Sequence, residues 1–395
     1  MKPIRKDLKE ATIIAHAGRD PSGNHGIVNP PVYHASTILF PSVEAMEQSG
    51  KTPYEGIRYG RYGTPTTFAF EEAVAALDGA DRAVQLSSGQ AAISVALLAF
   101  LKTGDHLLIV DTCYGPARRF CEQFLKPMGI EVTYYDPLIG AGIAKLMRPN
   151  TKVVYLESPG SITFDVQDVP AIAAEARKKG AKVLLDNTWA SGFFFKPYQH
   201  GIDVAIYAAT KYIVGHSDAM LGVVTMRSDD FYAIKHSAML LGNTAGPDDV
   251  YLGLRGLRTI GVRMRQHHEN GLTLARWLQD RPEVARVMHP GLPNDPGHTL
   301  WKRDFTGASG LFSILLKPFP KPAVSAMLDK MELFGMGFSW GGFESLIVPE
   351  PVAHLRSATP WTDDDSILRL HAGLEDTDDL IKDLEKGFAR LRAAT

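Results

Sequence analysis

The chain has 395 residues, with 42 Lys and Arg against 44 Asp and Glu and a formal net charge of −2. That balance argues against nucleic acid or a membrane surface as the main partner and leaves small polar or zwitterionic molecules as the default ligands. The two cysteines, Cys113 and Cys121, match neither a disulfide framework nor a zinc or Cys-x-x-Cys pattern; residues 1–10 lack the apolar core of a signal peptide; and the longest apolar run, 91–101, is well short of the roughly 20 residues of a membrane span, so a cytoplasmic setting is predicted.

Residues 11–63 are rich in Gly, Pro, Tyr and His with little periodicity. An arm of that length without regular structure is predicted to lie against a neighbouring subunit or to carry function. From Thr64 the pattern turns helical, with a hydroxyl cap and a stop at Asp78-Gly79. Strands are predicted at 83–86, 106–110, 131–135, 152–156, 182–185, 204–207 and 221–226, with helices at 90–101, 116–128, 169–179 and 229–240 filling gaps between them. Such alternation predicts an α/β fold whose mostly parallel sheet is covered by helices. Beyond Asp248 an amphipathic stretch runs to Leu278, long enough to connect two domains. A strand at 310–316, a helix at 322–333, an apolar strand pattern around Arg369 and a helix at 377–391 follow. These make a smaller C-terminal α+β domain by pattern, so the predicted division is an arm (1–63), a ligand-binding domain (64–247) and a C-terminal domain (248–395).

Two residues at strand ends carry the chemistry. Lys211 follows the apolar run Val204-Ala205-Ile206-Tyr207 with Thr210 before it, and desolvation there would lower its pKa and free the amine to attack an aldehyde. A strand-end lysine that keeps its ammonium in water is the other reading. Asp186 closes Lys182-Val183-Leu184-Leu185 and opens Asp186-Asn187-Thr188, placing a carboxylate at the carboxyl end of a second strand. In open α/β sheets ligands sit at that edge, and pyridoxal phosphate needs this pair: an amine for its aldehyde and a carboxylate for its ring nitrogen. Ser87-Ser88-Gly89-Gln90, between a strand and a helix, offers free amides for a phosphate. Tyr114 could stack on a planar ring or simply cover core. In the arm, Tyr59-Gly60-Arg61 offers a phenol and an arginine fork suited to phosphate, or a solvated loop. Arg369 in an apolar strand calls for an anionic partner, either a substrate carboxylate or the acidic run Asp363 to Asp365. His267-His268 and His216 with Asp218 have no ligand set around them, so no metal site is predicted.

Taken together, these motifs resemble the pyridoxal-phosphate enzymes of cysteine and methionine metabolism. The likeness runs from Val28-Asn29-Pro30-Pro31-Val32-Tyr33 to Leu370-His371-Ala372-Gly373-Leu374-Glu375-Asp376, and is most specific at Thr210-Lys211-Tyr212 and Gly215-His216-Ser217-Asp218. It implies a fold-type-I, transferase-like architecture with pyridoxal 5′-phosphate on Lys211. Asp186 and Thr188 would serve the ring, and Tyr114 would lie on its face and, as phenolate, assist Lys211 as base. Gly89, Gln90 and Thr210 would hold the phosphate with Tyr59 and Arg61 of a neighbouring subunit, in a tetramer built from dimers. Ser339, Trp340 and Arg369, with Tyr59, would seat an amino-acid substrate. Phe338-Ser339-Trp340, where γ-cleaving relatives often carry glutamate and leucine around the serine, implies β-elimination of cystathionine to homocysteine, pyruvate and ammonia, with cystine and cysteine as further substrates. The alternatives are a γ-lyase or transsulfuration synthase, an amino-acid racemase, or a catalytically silent binding protein. Ala208 and Ser161 depart from the serine and asparagine that many relatives carry.

Overall fold

The computed structural model describes residues 8–362 and 366–395. The signal-peptide reading of residues 1–7 and the acidic run Asp363 to Asp365 fall outside the described residues.

Seven strands form the large sheet: β1 (Arg82–Leu86), β2 (His106–Val110), β3 (Glu131–Tyr135), β4 (Thr151–Glu157), β5 (Lys182–Asp186), β6 (Val204–Tyr207) and β7 (Gly222–Met226), in the order β1-β7-β6-β5-β4-β2-β3. From β6 through to β3 the pairing is parallel, and β7 runs antiparallel to both of its neighbours. The reversal has a local cause. A parallel return needs a crossover of a dozen or more residues, usually helical. The link between β6 and β7 instead folds as turns around Lys211, with Thr210 N bonded to Leu221 O at 2.9 Å. The chain therefore comes straight back beside β6 and leaves Lys211 at the carboxyl edge of the sheet. Strands β2, β6 and β7 are buried along their whole length, as expected for a sheet covered on both faces.

The helix predicted from Thr64 is Pro65–Asp78, with the Thr64 and Thr67 hydroxyls capping its start and Gly79 at φ +76° ending it. The segment predicted as one helix over 116–128 is Gly115–Phe120, continued by a wider turn, Cys121–Leu125. The amphipathic stretch after Asp248 breaks into Pro247–Leu257 and Ile260–Gln279. The second of these contributes Ile260 and Met264 to the core around the large sheet, and Leu274, Ala275 and Leu278 to a second core. That second core lies against a four-stranded antiparallel sheet of β8 (Val284–Met288), β9 (Leu311–Leu316), β10 (Leu346–Pro349) and β11 (Ile367–His371), ordered β10-β11-β9-β8. Strands β8 and β10 were not expected: β8 is broken by exposed Ala285 and Arg286, and β10 spans four residues. Among its described residues the arm holds two α-helices, Glu10–His16 and Val43–Lys51, and a short 3-10 helix, Gly60–Tyr62, and leaves Leu39 88 % and Val43 67 % exposed.

Candidate active site

The carboxyl ends of β4, β5 and β6 bring Glu157, Asp186 and the Lys211 turn to one rim. Lys211 Nζ donates to Ser339 Oγ at 2.5 Å and lies 5.2 Å from the Trp340 ring centroid. Burial, then the nearby Arg369 charge, lowers the Lys211 ammonium from 10.5 to about 8, while Asp186 acts in the opposite direction. The turn is held from beneath by Arg263, whose guanidinium donates to the carbonyls of Tyr212 (2.7 Å) and Gly256 (2.7 Å). At Gly215, φ is +74° and a Cβ would sit 1.9 Å from Arg263 Nη1, so only glycine fits.

Asp186 is 8 % exposed. Its Oδ1 accepts from Thr188 N (3.0 Å) and Thr188 Oγ1 (2.5 Å), and Tyr155 Oη stands 3.5 Å from Oδ2. Burial raises its pKa, opposed by Thr188, Tyr155 and Lys211. Thr188 Oγ1 also accepts from Ala208 N at 2.9 Å, so this one hydroxyl couples the ends of β5 and β6.

Ser88 caps the helix Gly89–Phe100 by accepting from Ala91 N. The amides of Gly89 and Gln90 take no partner among the described residues, and Gln90 sends its side-chain amide along the helix to Ser94 Oγ at 3.2 Å. A Cβ at Gly89 would lie 2.4 Å from Ala208 Cβ, so helix start and β6 end meet across small residues only. Thr210 is held within the chain. Its hydroxyl donates to Leu221 O (3.1 Å) and accepts from Leu221 N (2.8 Å), so its proton already has a partner.

The substrate-side residues come from the smaller sheet and its loops. Ser339 has φ +84° and Gly341 φ +86°, and a Cβ at Gly341 would be 3.0 Å from the Lys211 backbone. This tight loop lays Ser339 and Trp340 directly on the lysine turn, and it is anchored by Gly341 N donating to His371 Nε2 at 3.1 Å. Burial drives the His371 pKa well below its ordinary value, so its neutral ring accepts at Nε2 and donates from Nδ1 to Glu344 O. Arg369 pairs with Glu350 (3.0 Å), a residue the sequence did not single out, while the acidic run 363–365 is outside the described residues. Burial lowers the Arg369 pKa, and the Glu350 charge counters it.

Tyr114 starts the helix Gly115–Phe120, and its backbone N–H donates to Glu157 Oε2 at 2.7 Å. Burial, then Glu157 and Asp186, raises the phenol pKa above its usual value. At neutral pH the group in the cofactor-free protein is therefore the protonated phenol, an O–H donor. Tyr59 and Arg61 are not brought to this rim within one chain: Arg61 donates to Met239 O at 2.6 Å, and Tyr59 is 43 % exposed. His216 Nδ1 meets Val214 O, and His267 Nδ1 meets Ala372 O; among the described residues no group of three or more His, Cys, Asp or Glu could hold a metal ion. Arg263, Tyr155, Glu157 and Glu350 escaped sequence reading. Only Glu157 and Tyr155 had a local signal, since they end the apolar strand β4 beside Asp186.

The donor set fits pyridoxal 5′-phosphate. A desolvated amine and a buried carboxylate share one crevice, and two unpartnered helix-start amides lie over a cradle that a Cβ would fill.

Comparison with known proteins places the same chemistry on the whole chain. The family described as Cys/Met metabolism PLP-dependent enzyme matches residues 11–389. The chain is 48 % identical over 386 residues to a putative cystathionine beta-lyase of Rhizobium johnstonii, covering 97 % of this chain and 96 % of that one. It is 46 % identical over 392 residues to cystathionine beta-lyase MetC of Escherichia coli, covering 98 % and 99 %. Among solved structures, cystathionine gamma synthase from Xanthomonas oryzae pv. oryzae, in complex with aminoacrylate and cysteine, superposes with a TM-score of 0.90 at 32 % identity, covering 98 % of this chain and all of that one.

Proposed function

This chain belongs to the Cys/Met metabolism PLP-dependent enzyme family, and from that premise we infer that it is a carbon–sulfur lyase cleaving cystathionine by β-elimination to homocysteine, pyruvate and ammonia. The observation that carries the reading is the pairing of a desolvated Lys211, its ammonium lowered to about 8, with a buried Asp186 under the Ser339-Trp340 loop. Bound pyridoxal 5′-phosphate supplies an aldehyde for amines and a protonated ring that draws electrons from the bond being broken.

The chain's own groups do the rest. Asp186, oriented by Thr188, is the partner for the ring nitrogen. Gly89 and Gln90 present amides to the phosphate. Arg369 grips the substrate α-carboxylate, held in place by Glu350. Lys211, once its amine is free, takes the α-proton; with a pKa of about 8 it is suited to both accept and return a proton near neutrality. Ser339 Oγ, 2.5 Å away, orients that amine, and Lys211 returns the proton to the departing sulfur. Tyr114 keeps its phenolic proton and covers the crevice as donor.

Tyr59 and Arg61 would complete the phosphate site of a second copy of the chain, in a homotetramer built from such dimers. The exposed apolar side chains of the arm support that assembly. The division is an arm 1–63, a cofactor domain 64–247 and a C-terminal domain 248–395, with the start of the last, Val250 to Met264, packed in the core of the large sheet and its own core beginning at Leu274. No described helix is long and apolar enough to cross a membrane, and a cytoplasmic location fits two buried free cysteines.

The test is product identification. Purified protein given cystathionine should release homocysteine and pyruvate; cysteine with 2-oxobutyrate instead would mean γ-cleavage and overturn the β-lyase assignment.

A further inference from the structure

Glu157 closes β4 directly opposite Asp186 at the end of β5. Residues opposed in a parallel pair share a face of the sheet, so two carboxyls stand side by side at the rim. Glu157 reaches across to the loop after β2 and accepts the Tyr114 backbone N–H at 2.7 Å. The rest of Tyr114 is held less firmly. Its side chain is 41 % exposed, its hydroxyl has no hydrogen bond among the described residues, and its carbonyl accepts only from Arg118 N at 3.1 Å.

We propose that Glu157 is a positioning residue, fixing Tyr114 at the mouth of the Lys211 crevice through the Tyr114 backbone amide. The proposal rests on the reading that Tyr114 covers the cofactor.

The groups that face Glu157 are Asp186 from β5, Tyr155 from β4, Cys113 and Tyr114 from the loop after β2, and Arg356 from the segment after β10. Burial first, then the Asp186 charge, pushes the Glu157 carboxyl well above the usual range; the Tyr114 amide and Arg356 oppose this. Asp186 has two Thr188 donors and Lys211 on its side. Of two adjacent buried carboxyls only one readily ionises, and these contacts give the charge to Asp186. An uncharged Glu157 still offers an acceptor oxygen to Tyr114. Glutamine therefore reproduces the role, and alanine removes it.

The experiment compares Glu157→Gln and Glu157→Ala with the wild-type chain. In cofactor-free protein at neutral pH, the infrared difference between wild type and Glu157→Gln should contain a protonated-carboxyl C=O stretch. Pyridoxal 5′-phosphate should bind Glu157→Gln within about threefold of wild type, and Glu157→Ala about tenfold more weakly, the cost of one lost hydrogen bond at the site. The kcat/KM on cystathionine should follow the same order, with glutamine rescuing. Alanine binding as tightly as wild type, or glutamine as weak as alanine, would overturn the proposal. Failure of the wild-type chain to take up the cofactor would sink the reading beneath it, and the infrared arm would still decide the state of Glu157.

Discussion

Titrating the cofactor-free protein from about pH 6 to about pH 10 should deprotonate Lys211 well before an ordinary lysine, since burial and the Arg369 charge bring it from 10.5 to about 8. At pH 7 a group of pKa about 8 is about one-tenth neutral, whereas an ordinary lysine is neutral in about three molecules in ten thousand, a gain of about 300-fold in free amine. The rate of pyridoxal 5′-phosphate uptake, followed by the visible absorbance of the attached cofactor, should therefore rise about tenfold per pH unit and level off near pH 8. Stability responds in step. A lysine whose folded pKa is depressed destabilises the fold fully below about pH 8. That penalty, about 3 kcal/mol, is relieved as pH rises through 8 toward 10.5, because the unfolded chain binds the extra proton in that window. Urea unfolding of cofactor-free wild type should thus gain stability over this range relative to Lys211→Met, which lacks the group. Identical pH slopes for the two proteins, or an uptake rate still climbing tenfold per unit at pH 10, would refute the reasoning.

Glu350→Ala removes the ion-pair partner of Arg369 and should raise KM for cystathionine about tenfold with little change in kcat, read from steady-state kinetics, because a buried guanidinium without its partner is misplaced before substrate arrives. Thr188→Val keeps the shape but removes the hydroxyl, orphaning Ala208 N and withdrawing one of the two Thr188 donors from Asp186. Urea unfolding should show a loss of about 1–3 kcal/mol, and cofactor release should quicken. Gly89→Ala drives a Cβ to 2.4 Å from Ala208 Cβ, so the helix start must back away from β6. An overpacking cost of about 1–3 kcal/mol in thermal unfolding and weaker cofactor binding are the expected results, and wild-type values for both would show that the cradle is not tight.

The order of strands and helices, the carboxyl-edge position of Asp186 and Lys211, and the glycine-bearing turn before the helix Gly89–Phe100 were legible from the chain because each is a local matter. An apolar run that ends in a charged residue announces itself wherever the strand goes. What surrounds those residues was not legible. Arg263 under the lysine turn, Glu350 on Arg369 and His371 behind the Ser339 loop lie 52, 19 and 32 residues from the groups they serve. Similarly, the antiparallel entry of β7 follows from the turns that link it to β6, and the pairing of the interrupted strand β8 from its partner β9, not from any pattern within those strands. Sequence alone thus determined the order of the strands and which amine, carboxyl and glycine-bearing turn lie at their carboxyl ends. Tertiary structure decided their state: that the amine is largely desolvated, that the Thr210 proton is already taken, that Tyr114 stays protonated. The reason is physical, since protonation and hydrogen-bond supply depend on burial and on partners remote in the chain, and folding is what brings those partners within reach.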